Sequence, residues 1–162
     1  MSKVQINIRN YGSIEVELDA TNAPITVDNF LKLVNEHFYD GLTFHRIIDG
    51  FMIQGGDPLG TGIGGSKNKI KGEFLANGVP NKIPHVRGTI SMARSMDKDS
   101  ASSQFFIVHK DSLFLDGQYA GFGTVTSGIE VVDEICKNTK VTDSNGTVSK
   151  ENQPIIENIV VL

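Results

Sequence analysis

The sequence is poor in cysteine, and this scarcity indicates the kind of cellular compartment in which the protein is expected to work. Among 162 residues there is one cysteine, Cys136. A single cysteine excludes an internal disulfide and fits a reducing compartment. We therefore expect a cytoplasmic protein in which Cys136 is a small buried hydrophobe on a helix.

Long apolar runs and an excess of positive charge are also missing. No apolar segment approaches the length needed to span a bilayer, and the opening "MSKVQINIRN" lacks the apolar part of a signal peptide. The formal net charge is −4, whereas nucleic-acid binders normally carry a basic face. The short lysine cluster "SKNKIK" (66–71) is interpreted as a solvated loop. We expect neither a membrane nor a nucleic-acid partner.

Hydrophobic periodicity predicts one mainly β domain over residues 1–162. Two segments have helical period, "APITVDNFLKLVNE" (23–36) and "SGIEVVDEICKN" (127–138), with Pro24 suited to a first turn. The predicted strands, seven or eight in all, are "VQINI" (4–8), "SIEVEL" (13–18), "LTFHRII" (42–48), "FMIQGG" (51–56), "GTISMA" (88–93), "QFFIV" (104–108), "YAGFGTVT" (119–126) and "PIIENIVVL" (154–162). Because helices do not alternate with strands, a doubly wound fold is disfavoured. We expect a closed antiparallel barrel with helices capping its open ends.

Several motifs look like reactive or ligand-binding sites but lack the required context. "GTGIGG" (60–65) matches G-x-G-x-x-G, yet no helical period follows it and Glu73 comes too soon for the acid of a dinucleotide site. The histidines are spread out, at His37, His45, His85 and His109. No two have helical metal-ligand spacing, so we expect no metal and no cofactor. A hydrolytic triad is compatible with the composition, but no serine lies in a G-x-S-x-G turn. "NGT" (145–147) is interpreted as a tight turn.

One stretch, "FHRIIDGFMIQGGD" (44–57), combines an arginine with apolar residues and contains no nucleophile and no carboxylate pair. Strand alternation predicts that Phe44 and Arg46 share a face, as do Met52 and Gln54. Gln104 and Phe106 share one in the same way. A surface that combines Arg46, Met52, Gln54, Gln104 and Phe106 would form a small apolar pocket with a few fixed polar groups. Alternatively, Phe51, Met52 and Phe106 could be plain core. A charged arginine inside an apolar strand favours the pocket, because it needs partners when buried.

Four segments, in order and spacing, resemble the cyclophilins. They are "FHRIIDGFMIQGGD" (44–57), "GTGIGG" (60–65), "SMARSMDKDSASSQFFI" (91–107) and "LFLDGQYAGFG" (113–123). The resemblance covers nearly the whole chain and is strongest to single-domain, bacterial-type members. It implies an eight-stranded antiparallel barrel capped by two helices. It also implies a peptidyl-prolyl cis-trans isomerase that acts on X-Pro bonds in unfolded or exposed segments and assists folding.

The resemblance also implies roles for individual residues. Arg46 is the catalytic group. The residues implied to bind substrate are Phe51, Met52, Gln54, Ala93, Arg94, Gln104, Phe106, Phe114, Leu115 and Tyr119. Phe114, Tyr119 and Arg94 stand where many members have tryptophan, histidine and asparagine. Without an indole N–H at the rim, we expect weakened binding of cyclosporin.

Two other kinds of function remain open at this point. The same groove could hold one proline motif of a partner without turnover, as a binding module. Alternatively, the barrel could carry a small apolar ligand inside it. The enzyme is preferred because Arg46, Gln54 and Phe106 are all present. The expected partners are proline-containing peptides and unfolded proteins. With no heptad or interface pattern in the sequence, we expect a monomer.

Overall fold

The computed structural model describes residues 2–162 and contains one antiparallel sheet of eight strands and two α-helices. The strands are β1 (Lys3–Ile8), β2 (Gly12–Leu18), β3 (Thr43–Ile48), β4 (Met52–Asp57), β5 (Thr89–Met92), β6 (Phe105–Val108), β7 (Gly121–Ser127) and β8 (Ile156–Val161). Their order across the sheet is β3-β4-β6-β5-β7-β2-β1-β8. The helices are α1 (Pro24–Asn35), which contacts β8, and α2 (Ile129–Asn138), which contacts β2.

The predicted elements are all present. Burial alternates along β1 and β2, whereas every residue of β5 and β6 is buried. In α1, Val27, Phe30 and Val34 are buried at i, i+3 and i+7, and Leu33 is buried beside them. Cys136 is a buried residue of α2, also as predicted. Within the described chain, neither helix is long and apolar enough to cross a membrane.

The sheet does not close into the predicted barrel. It is a strongly curled half-barrel whose edge strands are β3 and β8. A closed barrel would need a ladder between β3 and β8. Within residues 2–162, these two edges are joined by an isolated bridge between Thr43 and Ile155 instead. The physical reason is that a later segment occupies the edge of β3. Ile47 N donates to Gly146 O at 2.8 Å, and Val148 N donates to His45 O at 3.1 Å.

The concave side of the sheet is filled with aromatic side chains. Phe30 of α1 packs against Tyr39, Phe105 and Phe122, with ring centroids 5.2, 5.7 and 5.2 Å away. All four rings are fully or almost fully buried. Such packing argues against the hypothesis of a barrel that carries a ligand inside.

Candidate active site

The candidate site lies on the face of β4 and β6 that points away from the main core. Side chains alternate along each strand, so Phe105 and Ile107 enter the main core while Phe106 and Val108 join a second apolar cluster. Across the sheet, Arg46 is paired with Gln54, and Gln54 with Phe106. Strand pairing therefore brings an arginine, an amide and an aromatic ring into one row.

A β-bulge at His45 decides which face Arg46 occupies. Phe44 pairs with Gly55, but the next pair is Arg46 with Gln54, so His45 is the extra residue. Phe44 is accordingly in the main core, while Arg46 is half-buried on the other face. The prediction that these two residues share a face was wrong, because alternation fails across a bulge.

The pocket itself has an apolar floor. Met52, Phe106 and Leu115 are at most 7% exposed, and Phe51 lies in the turn just before β4 and packs beside them. The cavity measures about 130 Å³. Its lining residues are Arg46, Phe51, Met52, Gln54, Ala93, Arg94, Phe106, Leu115 and Tyr119. A small apolar cavity with a few fixed polar groups suits one small apolar group of a ligand.

The polar side of the pocket is a chain of amides that leads away from Arg46. Arg46 Nη1 donates to Gln54 Oε1 at 3.2 Å, and Gln54 Nε2 donates to Gln104 Oε1 at 2.9 Å. Gln104 Nε2 in turn donates to the carbonyls of Gly62 and Gly64. Gln104 does not line the small pocket but a neighbouring hollow of about 390 Å³, which shares Gln54, Ala93 and Arg94 with it.

The glycine-rich motif supports this amide chain and is built around Asp57. The buried carboxylate of Asp57 accepts the backbone N–H groups of Leu59, Thr61, Gly62 and Gly64. Burial disfavours its charged form, but these four donors outweigh burial and hold the pKa of Asp57 below its ordinary value. At Gly64, a Cβ would collide with Asp57 Oδ1. The G-x-G-x-x-G spacing here serves a carboxylate of the protein itself.

A buried polar chain lies behind Phe106, and sequence reasoning missed it. The ring of His85 stacks on Phe106 with centroids 6.0 Å apart. His85 Nε2 lies 2.8 Å from Ser91 Oγ, and its Nδ1 lies 3.0 Å from Asp116 Oδ1. The order serine, histidine, aspartate resembles a hydrolytic triad. Because Ser91 and His85 are both 0% exposed, a substrate cannot reach them. His85 instead packs against Phe106, which forms part of the pocket wall.

Three potential metal ligands do come together, contrary to the expectation from spacing, but away from the pocket. One ligand atom each of Asp49, His109 and Cys136 lies within 4.8 Å of the others. His109 Nδ1 accepts the N–H of Gly50 at 2.9 Å, and Nε2 lies 2.9 Å from Asp133. Burial raises the pKa of the Cys136 thiol to about 12. Both ring nitrogens of His109 are thus engaged within the protein, and burial favours the protonated Cys136 thiol.

The comparisons with known proteins decide the family. The sequence model described as cyclophilin type peptidyl-prolyl cis-trans isomerase/CLD matches residues 3–161. The chain belongs to this family. The chain is 51% identical over 138 residues to peptidyl-prolyl cis-trans isomerase B of Bacillus subtilis, covering 85% of this chain and 87% of the relative. It is 48% identical over 128 residues to a peptidyl-prolyl cis-trans isomerase of Helicobacter pylori, covering 78% and 76%.

Solved structures of cyclophilins agree with this assignment. A cyclophilin of Cryptosporidium parvum, crystallised in the presence of the dipeptide Ala-Pro, superposes with a TM-score of 0.86 at 33% identity, covering 99% of this chain and 98% of that one. The chain is therefore a peptidyl-prolyl cis-trans isomerase with a mainly β cyclophilin fold. A purely binding role for the groove is not favoured.

Two of the three positions at which this cyclophilin departs from the common pattern shape the rim of the pocket. The Arg94 guanidinium lies between the rings of Phe74 and Tyr119, 4.8 Å from each centroid, and donates to Gln118 O. Tyr119 also meets Phe106 edge-on at 5.9 Å. The third, Phe114, does not line the cavity but packs on Phe51 at 5.6 Å with 73% of its surface exposed.

Proposed function

We propose that the pocket beside Arg46 holds the proline ring of an X-Pro segment while the Arg46 guanidinium acts on the rotating bond. The substrates are unfolded or exposed segments of other proteins, and the cellular role is assistance to folding. The observation that carries this proposal is a half-buried guanidinium fixed at the rim of a small apolar pocket. The Ala-Pro dipeptide used with the Cryptosporidium parvum cyclophilin supports a ligand of this kind.

The chemistry explains why no nucleophile is required. The barrier to rotation, about 18–20 kcal/mol, arises because a twisted amide loses its resonance, and no covalent bond breaks. In the twisted state the proline nitrogen regains a lone pair that can accept a hydrogen bond. A charged N–H donor directed at this nitrogen binds the transition state more strongly than the planar ground state.

Magnitudes show that Arg46 cannot act alone. A 10⁵-fold acceleration requires about 7 kcal/mol, whereas one charge-assisted hydrogen bond supplies about 1.5–3 kcal/mol. The remainder must come from the apolar pocket, which removes water from the proline ring, and from the amides of Gln54 and Gln104, which can hold the substrate backbone. One side of the bond is then fixed while the other turns.

The test is a protease-coupled isomerase assay on a peptide containing Ala-Pro-Phe. We expect Arg46→Ala to lower kcat/KM by about 10- to 150-fold, which corresponds to the loss of one charge-assisted hydrogen bond. Arg9→Ala is the matched control, because Arg9 forms an exposed ion pair with Glu157 and is not among the pocket-lining residues. An Arg46→Ala protein as active as the parent would refute the assigned role.

We further propose that the protein works as a cytoplasmic monomer without a cofactor. The buried and single Cys136 thiol supports a reducing compartment. Light scattering on a size-exclusion column tests the monomer, and a dimer at micromolar concentration would contradict it.

We also propose weak cyclosporin binding, since Phe114 offers no N–H at the rim.

A further inference from the structure

The turn from Asp143 to Thr147 lies on the edge of β3, next to Arg46, and its own hydrogen bonds hold it there. Asp143 Oδ1 accepts the N–H groups of Asn145 and Thr147 at 3.0 and 3.1 Å. Gly146 N donates to Asp143 O at 3.2 Å, and Gly146 O accepts the N–H of Ile47 at 2.8 Å. The turn is thus formed by the Asp143 carboxylate together with backbone groups and is docked on β3 through backbone groups, so these contacts do not involve the Arg46 side chain.

Asn145 contacts one whole edge of the Arg46 guanidinium. Arg46 Nε donates to the Asn145 carbonyl at 2.9 Å, and Nη2 donates to Asn145 Oδ1 at 3.1 Å. Gln54 Oε1 accepts from Nη1. Three of the five N–H groups of the guanidinium are therefore used within the protein. Among the hydrogen bonds of residues 2–162, one N–H on each terminal nitrogen is left for a substrate.

We propose that Asn145 is a positioning residue of the isomerase: it fixes the plane of the Arg46 guanidinium before substrate arrives. This inference rests on the proposed role of Arg46. A long arginine side chain that is only half-buried has many rotamers. A donor fixed in advance at the site of developing lone-pair density needs no reorganisation during the reaction. Asn145 contributes two acceptors in a fork that matches the planar guanidinium.

Gly146 permits this approach. Its φ is +82°, and a Cβ added there would lie 2.5 Å from Ile47 O and 2.7 Å from a side-chain atom of Ile48. Any other residue at this position would strain the turn and push it off β3. Both Asn145 acceptors would then move away from Arg46. Asn145-Gly146, which the sequence identifies only as a turn, thus combines the acceptor with the residue that allows the close approach.

The first test is Asn145→Ala, with kcat and KM measured separately on a cis-enriched Ala-Pro peptide. We expect kcat to fall about 3- to 10-fold with KM little changed, because the lost bond orients a group that acts in the transition state. Asn145 is exposed, so the melting temperature should stay at the parent value. Asn138→Ala, which removes an exposed asparagine bonded to Glu134, is the control and should retain full kcat.

A double-mutant cycle separates positioning from an independent effect. In an Arg46→Ala background, Asn145→Ala should cause no further loss, because the group it orients is gone. A parental kcat for Asn145→Ala, or the same fold-loss in both backgrounds, overturns the proposal. An inactive parent would instead contradict the proposed action on X-Pro bonds. An Arg46→Ala protein with full activity would show that the proposed role of Arg46 is wrong.

A second variant removes both acceptors at once. Gly146→Ala should lower kcat more than Asn145→Ala, since the displaced turn carries the carbonyl and the amide with it. Gly78→Ala is the matched control: Gly78 also has φ +82°, but an added Cβ there has nothing within 4 Å. Circular dichroism at the assay temperature verifies that both variants are folded. Full kcat in folded Gly146→Ala would overturn the proposal.

Discussion

At the scale of the residue, one bulged position decides the chemistry of β3. If His45 were paired as an ordinary strand residue, Arg46 would stand on the same face as Phe44, which is fully buried in the main core. A guanidinium placed there would have to lose its hydration without a matching set of partners. The bulge turns it instead toward Gln54 and the apolar pocket. Bulges commonly re-aim a side chain next to an active site.

A residue-scale prediction concerns the rim position Phe114. Phe114→Trp should raise cyclosporin affinity about 2- to 10-fold, because an indole N–H adds one hydrogen-bond donor at an exposed position. Catalysis should change little, since Phe114 does not line the cavity. Isothermal titration calorimetry measures the affinity, and Phe38→Trp is a control for adding an indole elsewhere. Equal cyclosporin affinity in parent and Phe114→Trp would contradict the prediction.

At the scale of the element, the start of α1 is fixed by a residue far along the chain. Glu73 Oε1 accepts both the backbone N–H and the hydroxyl of Thr26, at 2.6 and 2.7 Å, and both residues are buried. Free N–H groups at a helix start favour a negative charge nearby. Because α1 has no side-chain cap from its own flanking residue, Ala23, this contact takes over that task. It also ties the helix to the loop that follows the glycine-rich segment.

The corresponding prediction is that Glu73→Ala lowers the free energy of unfolding by about 2–4 kcal/mol. The substitution leaves two buried donors of Thr26 without an acceptor, which costs more than the loss of a surface contact. Urea denaturation gives the free energy of unfolding, and the exposed Glu151→Ala serves as the control. Equal effects of the two substitutions would show that the buried contact contributes nothing particular to α1.

At the scale of the whole molecule, two buried histidines connect folding stability to pH. Burial lowers the pKa of both His45 and His85, although Asp57 and Asp116 partly oppose this. In the unfolded chain a histidine pKa is about 6.5. The unfolded state therefore binds more protons than the folded state as the pH falls below that value. Their contribution to stability is complete above about pH 6.5 and is lost progressively at lower pH.

We therefore predict that the urea concentration at the unfolding midpoint is lower at pH 5.5 than at pH 7.5, a range in which the carboxylates do not yet titrate. His85→Gln should reduce this pH dependence, whereas His37→Gln should leave it unchanged because His37 is exposed. Urea titrations of the three proteins at both pH values provide the comparison. An identical midpoint for the parent at both pH values would show that the buried histidines do not have lowered pKa values.

The sequence by itself determined the strands, the helices and most of the pocket wall. Periods of two and 3.6 residues follow from local backbone geometry, so they could be counted along the chain. The pocket residues could be named because they occur in specific motifs. Gln104 and Phe114 were placed in the same set, but the structure puts both beside the cavity instead of in its wall.

Only the tertiary structure decided the features that depend on distant contacts. Asn145 is 99 positions from Arg46, and Glu73 is 47 from Thr26, so no local pattern connects them. The bulge at His45 and the occupation of the β3 edge by residues 146–148 likewise depend on which segments compete for the same backbone groups. Alternation is a property of one strand, whereas partners, closure and the orientation of a guanidinium are properties of the packed chain.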